Sequence, residues 1–539
     1  MRKINLITAC AALFILAGCT SIDQPSDVYV QPDYTLEDVR NAEIKRILPM
    51  LETNNVQAMF RACLLGDEDT KNRCFESVTS EYNKKLEEKD YFNARRLYKS
   101  LHACSYPALS SLKLSLPELD ALCNSKVPEI SKGETKKSVK VSSLINGTVT
   151  VWVDKGIKVE NGYGFADRVI GSGFFITKDG YIITNNHVIA DVVDSKNKNY
   201  SKVYVKLAED SDTKIPARVV GWDPLLDLAL LKTEADAPYC FSLGSSEDLD
   251  VGDKIYCIGS PVGLERTLTS GIVSATDRKL FTTGSVLQID AAVNSGNSGG
   301  PCVDVYGNVQ AIVFAGMLQY EGLNFAIPVE YLKALLPALF NGEKLVHPWL
   351  GTYGHTKKDL GKETGLEVQY VLPGSGSSRA GLKAGDVIVS ADGKKVSNLE
   401  DMQNILLSLA PKTVITIEYI NSAEEKKSAF VYLSSRPENP GYTIYTNDII
   451  SGSFIPIFGL NLASVSERSK MKYTIKSVIK GSVADESGFS ENEPLDIIDI
   501  DFDKDKKYIS AHVYSKNRKK GYIDVSLVIA APLDSPYYF

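Results

Sequence analysis

The chain has 539 residues, enough for roughly four domains. Hydrophobic residues make up 44% and charged residues 24%, which excludes a disordered polymer and predicts that most of the chain folds. The formal charge of −7 argues against a broad phosphate-binding surface, and so against nucleic acid as a partner.

In chain order, "MRK" is a basic start and "INLITACAALFIL" a short apolar run. That run is too short to span a bilayer comfortably and reads as an export signal over residues 1–18. "LAGC" resembles a bacterial lipobox, which marks Cys19 as a lipidated residue and predicts a membrane-tethered protein of the cell envelope. Thr20 stands where an Asp is associated with inner-membrane retention, so the outer membrane is favoured, on the periplasmic side or at the surface. Residues 19–34, with Pro25 and Pro32, read as a tether. No later stretch is apolar for long enough to span a membrane.

Residues 35–125 predict a small α-helical domain: "LEDVRNAEIKRILPMLE" and "DYFNARRLYKSLHAC" carry apolar residues at helical spacing. Its four cysteines, Cys63, Cys74, Cys104 and Cys123, read as disulfides in an exported protein. Three pairings are open, with Cys63–Cys74 and Cys104–Cys123 favoured by proximity; four buried thiols are the alternative. Cys240, Cys257 and Cys302 are odd in number, so at least one stays free or pairs elsewhere. Without a CxxC or clustered His, no metal site is expected. Residues 126–143 are a charged linker.

From about residue 144 the pattern becomes β. "GTVTVWV", "GSGFFIT", "GYIITNN", "KVYVKLA", "IPARVVGW", "LDLALLK", "DKIYCIG" and "GIVSAT" are short runs between turn residues. They predict a sandwich or barrel, closed by a helix at "VEYLKALLPAL". Three residues inside it stand out: His187 in "ITNNHVI", Asp227 in "WDPLLDLALLK" and Ser298 in "NSGNSGGP". Alone, each has an ordinary structural explanation as a strand-end, turn or loop residue. Together they supply a base, an orienting carboxylate and a nucleophile. Imidazole, with a pKa near ~6.5, can take the serine proton and return it to a leaving group, and a buried carboxylate fixes its tautomer. The glycines around Ser298 bury little apolar surface, but they let successive backbone N–H groups turn into one cavity.

"GSGFFITKDGYIITNNHVI", "DLALLK" and "QIDAAVNSGNSGGP" closely resemble the HtrA (Deg) family of trypsin-like serine proteases, over about residues 145–335. The resemblance implies a chymotrypsin-like double β-barrel over 144–345 with catalytic His187, Asp227 and Ser298 between the barrels. It implies an oxyanion hole at Gly296, Asn297 and Ser298, and a specificity pocket involving Phe314, Ala315 and Leu323, shaped by a loop, 314–322, particular to this chain. It also implies a homotrimer or higher oligomer, and a resting state in which a loop at 154–169 helps to distort the oxyanion hole. Cys302 replaces the usual aliphatic residue after "GGP".

Residues 346–436, with "SRAGLKAGDVIVSADGKKV", resemble an HtrA-type PDZ domain, an α+β fold that captures peptide C-termini. The matching loop is Trp349, Leu350, Gly351 and Thr352, with Thr352 in place of the usual apolar residue. After a linker at 437–449, residues 450–535 resemble a divergent second PDZ domain, with Phe458, Gly459 and Leu460 as its loop and "ENEP" where the first has "KAGD". The chain as a whole is expected to be multidomain and mainly β. Its expected activity is ATP-independent, cofactor-free serine endopeptidase action on misfolded envelope proteins. A non-hydrolytic chaperone or scaffold using the same clefts is the alternative.

Overall fold

A computed structural model describes residues 35–130, 139–194, 200–210, 212–260, 267–279, 284–294, 296–316, 323–465, 471–517 and 523–539. They form two compact units, one of the described residues up to Leu116 with His347–Phe539, the other of Pro117–Val346. The expected export signal, Cys19 and the tether lie outside the described residues.

The helical region runs α1 (Leu36–Thr53), α2 (Asn55–Leu65), α3 (Glu68–Glu87), α4 (Tyr91–Ala103) and α5 (Leu116–Asn124). Its first four helices begin where the sequence supplies a cap. Thr35, Asn54, Asp67 and Asp90 each accept a backbone N–H from the first turn, satisfying a donor that the helix itself leaves unpaired. Gly66 at φ +69° ends α2.

None of the four cysteines here is in a disulfide, so the favoured pairing is not formed. Cys63 hydrogen-bonds to Cys104, and that bond holds its thiol below the ordinary value, while Cys74 lies near enough to feel the Cys63 charge. Burial pushes the Cys74 thiol up to about 12. Three of the thiols therefore gather on facing sides of their helices, with the Cys63–Cys104 contact the bonded one.

The second unit holds two closed six-stranded barrels, as expected. The first is built from β1 (Thr148–Glu160), β2 (Tyr163–Phe175), β3 (Tyr181–Thr184), β4 (Lys202–Lys206), β5 (Ile215–Asp223) and β6 (Leu228–Thr233). The order β5-β4-β1-β2-β3-β6 closes through β5–β6 pairing. Short helices α6 (Val141–Asn146) and α7 (Asn186–Val193) accompany it. The second barrel joins β7 (Lys254–Gly259), β8 (Thr267–Arg278), β9 (Val286–Ile289), β10 (Pro301–Val303), β11 (Val309–Gly316) and β12 (Asn324–Pro328), followed by α8 (Val329–Asn341). Period-two apolar positions fill each interior: Val149, Val151 and Val153 with Phe175 in one, Ile255 and Cys257 with Ile289 in the other. Cys302 stands opposite Cys257 in the β10–β7 ladder, both buried. Cys240 is therefore the odd member of the later three.

Residues 154–169 are not a loop. They continue β1 and β2 into a long hairpin, paired out to Glu160 and Tyr163. Asn161 at φ +51° and Gly162 at φ +81° turn it, the Asn-Gly geometry that tight hairpins favour.

β13 (Glu343–Lys344) pairs with β5 and belongs to the barrel unit. The first PDZ domain comprises β14 (Pro348–Trp349), β15 (Thr352–Asp359), β16 (Lys362–Val371), α9 (Gly376–Arg379), β17 (Val387–Ala391), β18 (Lys394–Lys395), α10 (Leu399–Leu407), β19 (Val414–Ile420), β20 (Lys426–Tyr432) and β21 (Ser434–Ser435). Its sheet runs β15-β16-β17-β19-β20, leaving β15 at an edge. The helical region packs on the other edge. Phe60, 1% exposed, lies 6.2 Å from the Phe430 ring and 6.0 Å from that of Tyr432. Arg96 donates to Lys412 O at 2.8 Å, Val414 N donates to Ser100 Oγ at 3.0 Å, and Lys99 pairs with Asp392.

The expected linker at 437–449 is largely helical: α11 (Pro440–Asn447) buries Ile444. Pro440 at the first helical turn starts the helix that composition alone conceals. The second PDZ domain continues with α12 (Ile450–Phe458), β22 (Leu460–Ser464), β23 (Lys472–Val478), α13 (Val483–Glu486), β24 (Pro494–Phe502), β25 (Tyr508–Asn517) and β26 (Ile523–Pro532).

Phe60 is the largest side chain at the helical contact with the sheet, so Phe60→Ala is expected to cost about 3–5 kcal/mol, and Phe60→Leu clearly less. Urea unfolding followed by hydrogen exchange of the α2 amides measures this. A Phe60→Ala protein as stable as the parent would show that the helical region does not depend on the sheet.

Candidate active site

The carboxylate is placed by a turn. Asp223 is fully buried, and its Oδ1 accepts from Leu225 N at 2.8 Å and Leu226 N at 3.3 Å. That side-chain turn delivers Asp227 at φ +53°, a left-handed conformation that Asp tolerates better than most residues. From the next residue β6 pairs with β3, with Thr184 opposite Ala229. Asn185, fully buried, donates its Nδ2 to Asp227 O at 2.8 Å, and Asn186 N donates to the same oxygen at 3.2 Å.

α7 starts at this point and carries His187 in its first turn. His187 N donates to Asp227 Oδ1 at 2.7 Å, and its Nδ1 lies 2.7 Å from Asp227 Oδ2. A carboxylate can only accept, so Nδ1 carries the proton and Nε2 is left with its lone pair outward. The Asp227 side chain is 15% exposed and that of His187 46%. The pair is sheltered at the carboxylate and open at the imidazole.

Ser298 comes from the second barrel, in the connection between β9 and β10. Ser172 N donates to Ser298 O at 2.8 Å, and Ser172 Oγ donates to Gly296 O at 2.6 Å while accepting from Ser260 N at 2.9 Å. Gly299 has φ +85°, and a Cβ on it would lie 2.3 Å from Ser172 O and 2.9 Å from Asn185 N. The serine loop is thus pressed against the strand end that leads to His187, a fit that only glycine allows. Asn297 N donates to Asn294 O, and Gly300 N to Asn297 O. The amides of Gly296 and Ser298 have no backbone acceptor among the described residues. The half-buried Ser298 hydroxyl makes no hydrogen bond to His187 among the described residues.

The other expected positions fall as follows. Phe314 is half-buried at a bulge between Val313 and Ala315, and Leu323 is half-buried before β12. Ala315 pairs with Phe325 through its backbone, and residues 317–322 of the expected specificity loop lie outside the described residues. In the first PDZ domain, Trp349, Leu350 and Thr352 are buried and Gly351 has φ +80°.

Residues 171–312 match the family described as Trypsin-like peptidase domain, and residues 350–429 the family described as PDZ domain. Residues 441–533 match the TP0546 family PDZ domain, and residues 38–123 a Domain of unknown function (DUF8517). A "Probable periplasmic serine endoprotease DegP-like" of Pseudomonas fulva is 37% identical over 284 residues, covering 50% of this chain and 57% of that protein. The protein of the same description in Bartonella henselae is 37% identical over 282 residues, 50% of this chain and 54% of that one.

The chain carries a trypsin-like peptidase domain and PDZ domains, and over half of its length it is similar to DegP-like serine endoproteases.

It spans little more than half the length of the curated relatives it matches. Among solved structures, "HtrA-type protease AlgW with tripeptide" is 28% identical with a TM-score of 0.46, covering 55% of this chain and 96% of that one.

Sequence reasoning missed the residues that hold the site together: Ser172, Thr184, Asn185 and Asp223. Thr184 Oγ1 donates to Ser172 O at 2.7 Å, so these two join behind the serine loop, while Asn185 and the Asp223 turn hold Asp227 from the other side. The available signal was their place inside the quoted motifs, "GSGFF", "ITNNH" and "WDPLL". Ser172→Ala leaves Gly296 O and Ser260 N without their buried partner, and is expected to cost about 1–3 kcal/mol. It is also expected to loosen the loop. Denaturant unfolding and amide exchange at residues 296–300 check it; unchanged exchange would show that the hydroxyl does not hold the loop.

Proposed function

We propose that this protein is a serine endopeptidase of the bacterial cell envelope that cleaves unfolded or damaged proteins. The observation that carries the reading is the double engagement of Asp227 by His187, beside a glycine-built serine loop with two amides that have no backbone acceptor among the described residues. In this proposal Ser298 Oγ attacks the scissile carbonyl, and His187 Nε2 takes its proton and later gives it to the leaving amine. Asp227 holds the imidazole and stabilises its charged form. The amides of Gly296 and Ser298, with Asn297 between them, receive the oxyanion. Water then releases the acyl-enzyme by the same proton relay. Phe314, Ala315 and Leu323 are proposed to shape the pocket for the residue before the cut.

The periplasmic description of the relatives supports an envelope location. The lipobox supports anchoring through Cys19, with the outer membrane favoured by Thr20. Similarity to HtrA/Deg proteases supports a homotrimer or higher oligomer. The first PDZ domain is proposed to bind peptide C-termini at Trp349–Thr352, delivering extended chains that an unfolded substrate exposes.

Cleavage of unfolded casein tests the reading. The parent protein is expected to cleave it and to be labelled at Ser298 by a fluorophosphonate. Ser298→Ala is expected to be inert, and Asp227→Asn to lower kcat by about 10⁴-fold with little change in KM. Equal, negligible turnover in the parent and Ser298→Ala proteins would favour the binding-only alternative.

A further inference from the structure

β15 is the edge strand of the first PDZ sheet, so its outward N–H and C=O groups need a partner. They have one. Phe539 N donates to Thr352 O at 3.1 Å, Thr352 N donates to Phe539 O at 3.1 Å, and Gly354 N donates to Tyr537 O at 3.2 Å. Tyr538 stands antiparallel to Tyr353. On the helix side, Gln403 of α10 donates its Nε2 to Pro536 O at 2.6 Å. Residues 535–539, "SPYYF", therefore lie as an added strand between β15 and α10, the place where a PDZ domain takes a peptide.

The side chains follow the same pattern. Phe539 is 2% exposed and joins the core formed by Leu350, Met402 and Leu406. Thr352, the departure from the usual apolar residue, adds a second donor: its Oγ1 reaches Phe539 O at 2.9 Å. Tyr537 lies over His355, with ring centres 4.0 Å apart. Tyr538 turns the other way, buried with Trp349, Tyr370 and Ile444, and its hydroxyl donates to Pro456 O of α12 at 3.1 Å. Arg436 pairs with Asp534 at 2.6 Å just before the segment.

We propose that residues 535–539 are a built-in ligand of the first PDZ groove, and that the groove takes from outside peptides whose last residue is aromatic, by displacing this segment. The proposal rests on the reading of this domain as a peptide-binding module. A tethered segment competes at a high effective concentration, and the affinity seen by an outside peptide falls by the fraction of time the groove is open. The groove is then a selective receptor that stays closed to weak ligands. Because Tyr538 also bridges to α12, displacement removes a contact between the two PDZ domains.

The test uses the full chain and a fluorescent Ser-Pro-Tyr-Tyr-Phe peptide with a free carboxylate, followed by anisotropy. Phe539→Ala is expected to bind it at least about tenfold more tightly than the parent. Equal binding by both proteins would overturn the built-in ligand while leaving peptide binding intact. Binding by neither would overturn the peptide-binding reading and the inference with it. A measurement free of any substitution accompanies this: hydrogen exchange of the parent with excess peptide. The Phe539 amide is expected to lose protection while those of Thr352 and Gly354 keep it. Retained protection at Phe539 with peptide bound would also overturn the proposal.

Discussion

Both carboxylate oxygens of Asp227 are engaged by one residue, His187, at its backbone N–H and at Nδ1. That arrangement constrains the first barrel around it. The backbone of Asp227 must take φ +53°, its carbonyl must face Asn185 and Asn186, and β3 and β6 must end in register. A one-residue slip in that register would turn the site residues to the opposite face. The buried Asp223 turn and the buried Asn185 amide are the local devices that fix the register where the site needs it. The serine loop has its own lock, the Ser172 hydroxyl, which links β2 to Gly296 and Ser260. Short buried hydrogen bonds thus join the two barrels beside the site, which suits groups that must hold fixed angles.

Much of this was legible in the sequence, for reasons specific to particular residues. The β-runs alternate strongly enough to reveal strands, and "NSGNSGGP" is too poor a core former to sit among them without a backbone role. The supporting frame was harder to read. Ser172 and Asn185 are ordinary polar residues whose importance comes from contacts across more than one strand, and sequence alone carries no such contacts. The loop expected at 154–169 came from the resemblance; Asn161-Gly162 announces the tight turn of the hairpin found there, whose outer half exposes Ile157, Val159, Tyr163 and Phe165. The thiols show the same limit, since Cys63 meets Cys104 across helices.

The two PDZ domains share more geometry than their sequences suggest. Gly351 and Gly459 have φ of +80°, and a Cβ on either would strike a serine, Ser375 in the first and Ser482 in the second. Each serine caps the short helix that follows. Where "KAGD" has become "ENEP", Asn492 takes φ +63° in place of Gly385 at +95°. Buried Glu493 then accepts from Ser490 N as Asp386 accepts from Lys383 N. The loss of the turn glycine is thus absorbed by Asn, which tolerates that conformation. The groove is not preserved in the same way. In the first domain α10 supplies its second wall, whereas residues 503–507 of the second pass from β24 to β25 without a helix. A carboxylate loop without that wall has no opposite side to grip a strand.

This difference bears on why the segment 535–539 lies where it does. It follows β26 of the second domain directly, yet its edge partner is β15 of the first. An added strand gains most where backbone donors, a helix wall and an apolar pocket coincide, and only the first domain offers all three. Phe539 alone would fill that pocket, but Tyr538 at the next position faces away from it, as strand alternation requires. It is that alternation which carries its ring to Trp349, Tyr370 and Ile444 and its hydroxyl to Pro456. One extended segment therefore closes a groove with its odd residues and ties a second domain with its even one. The same period of two that built the barrels accounts for both contacts.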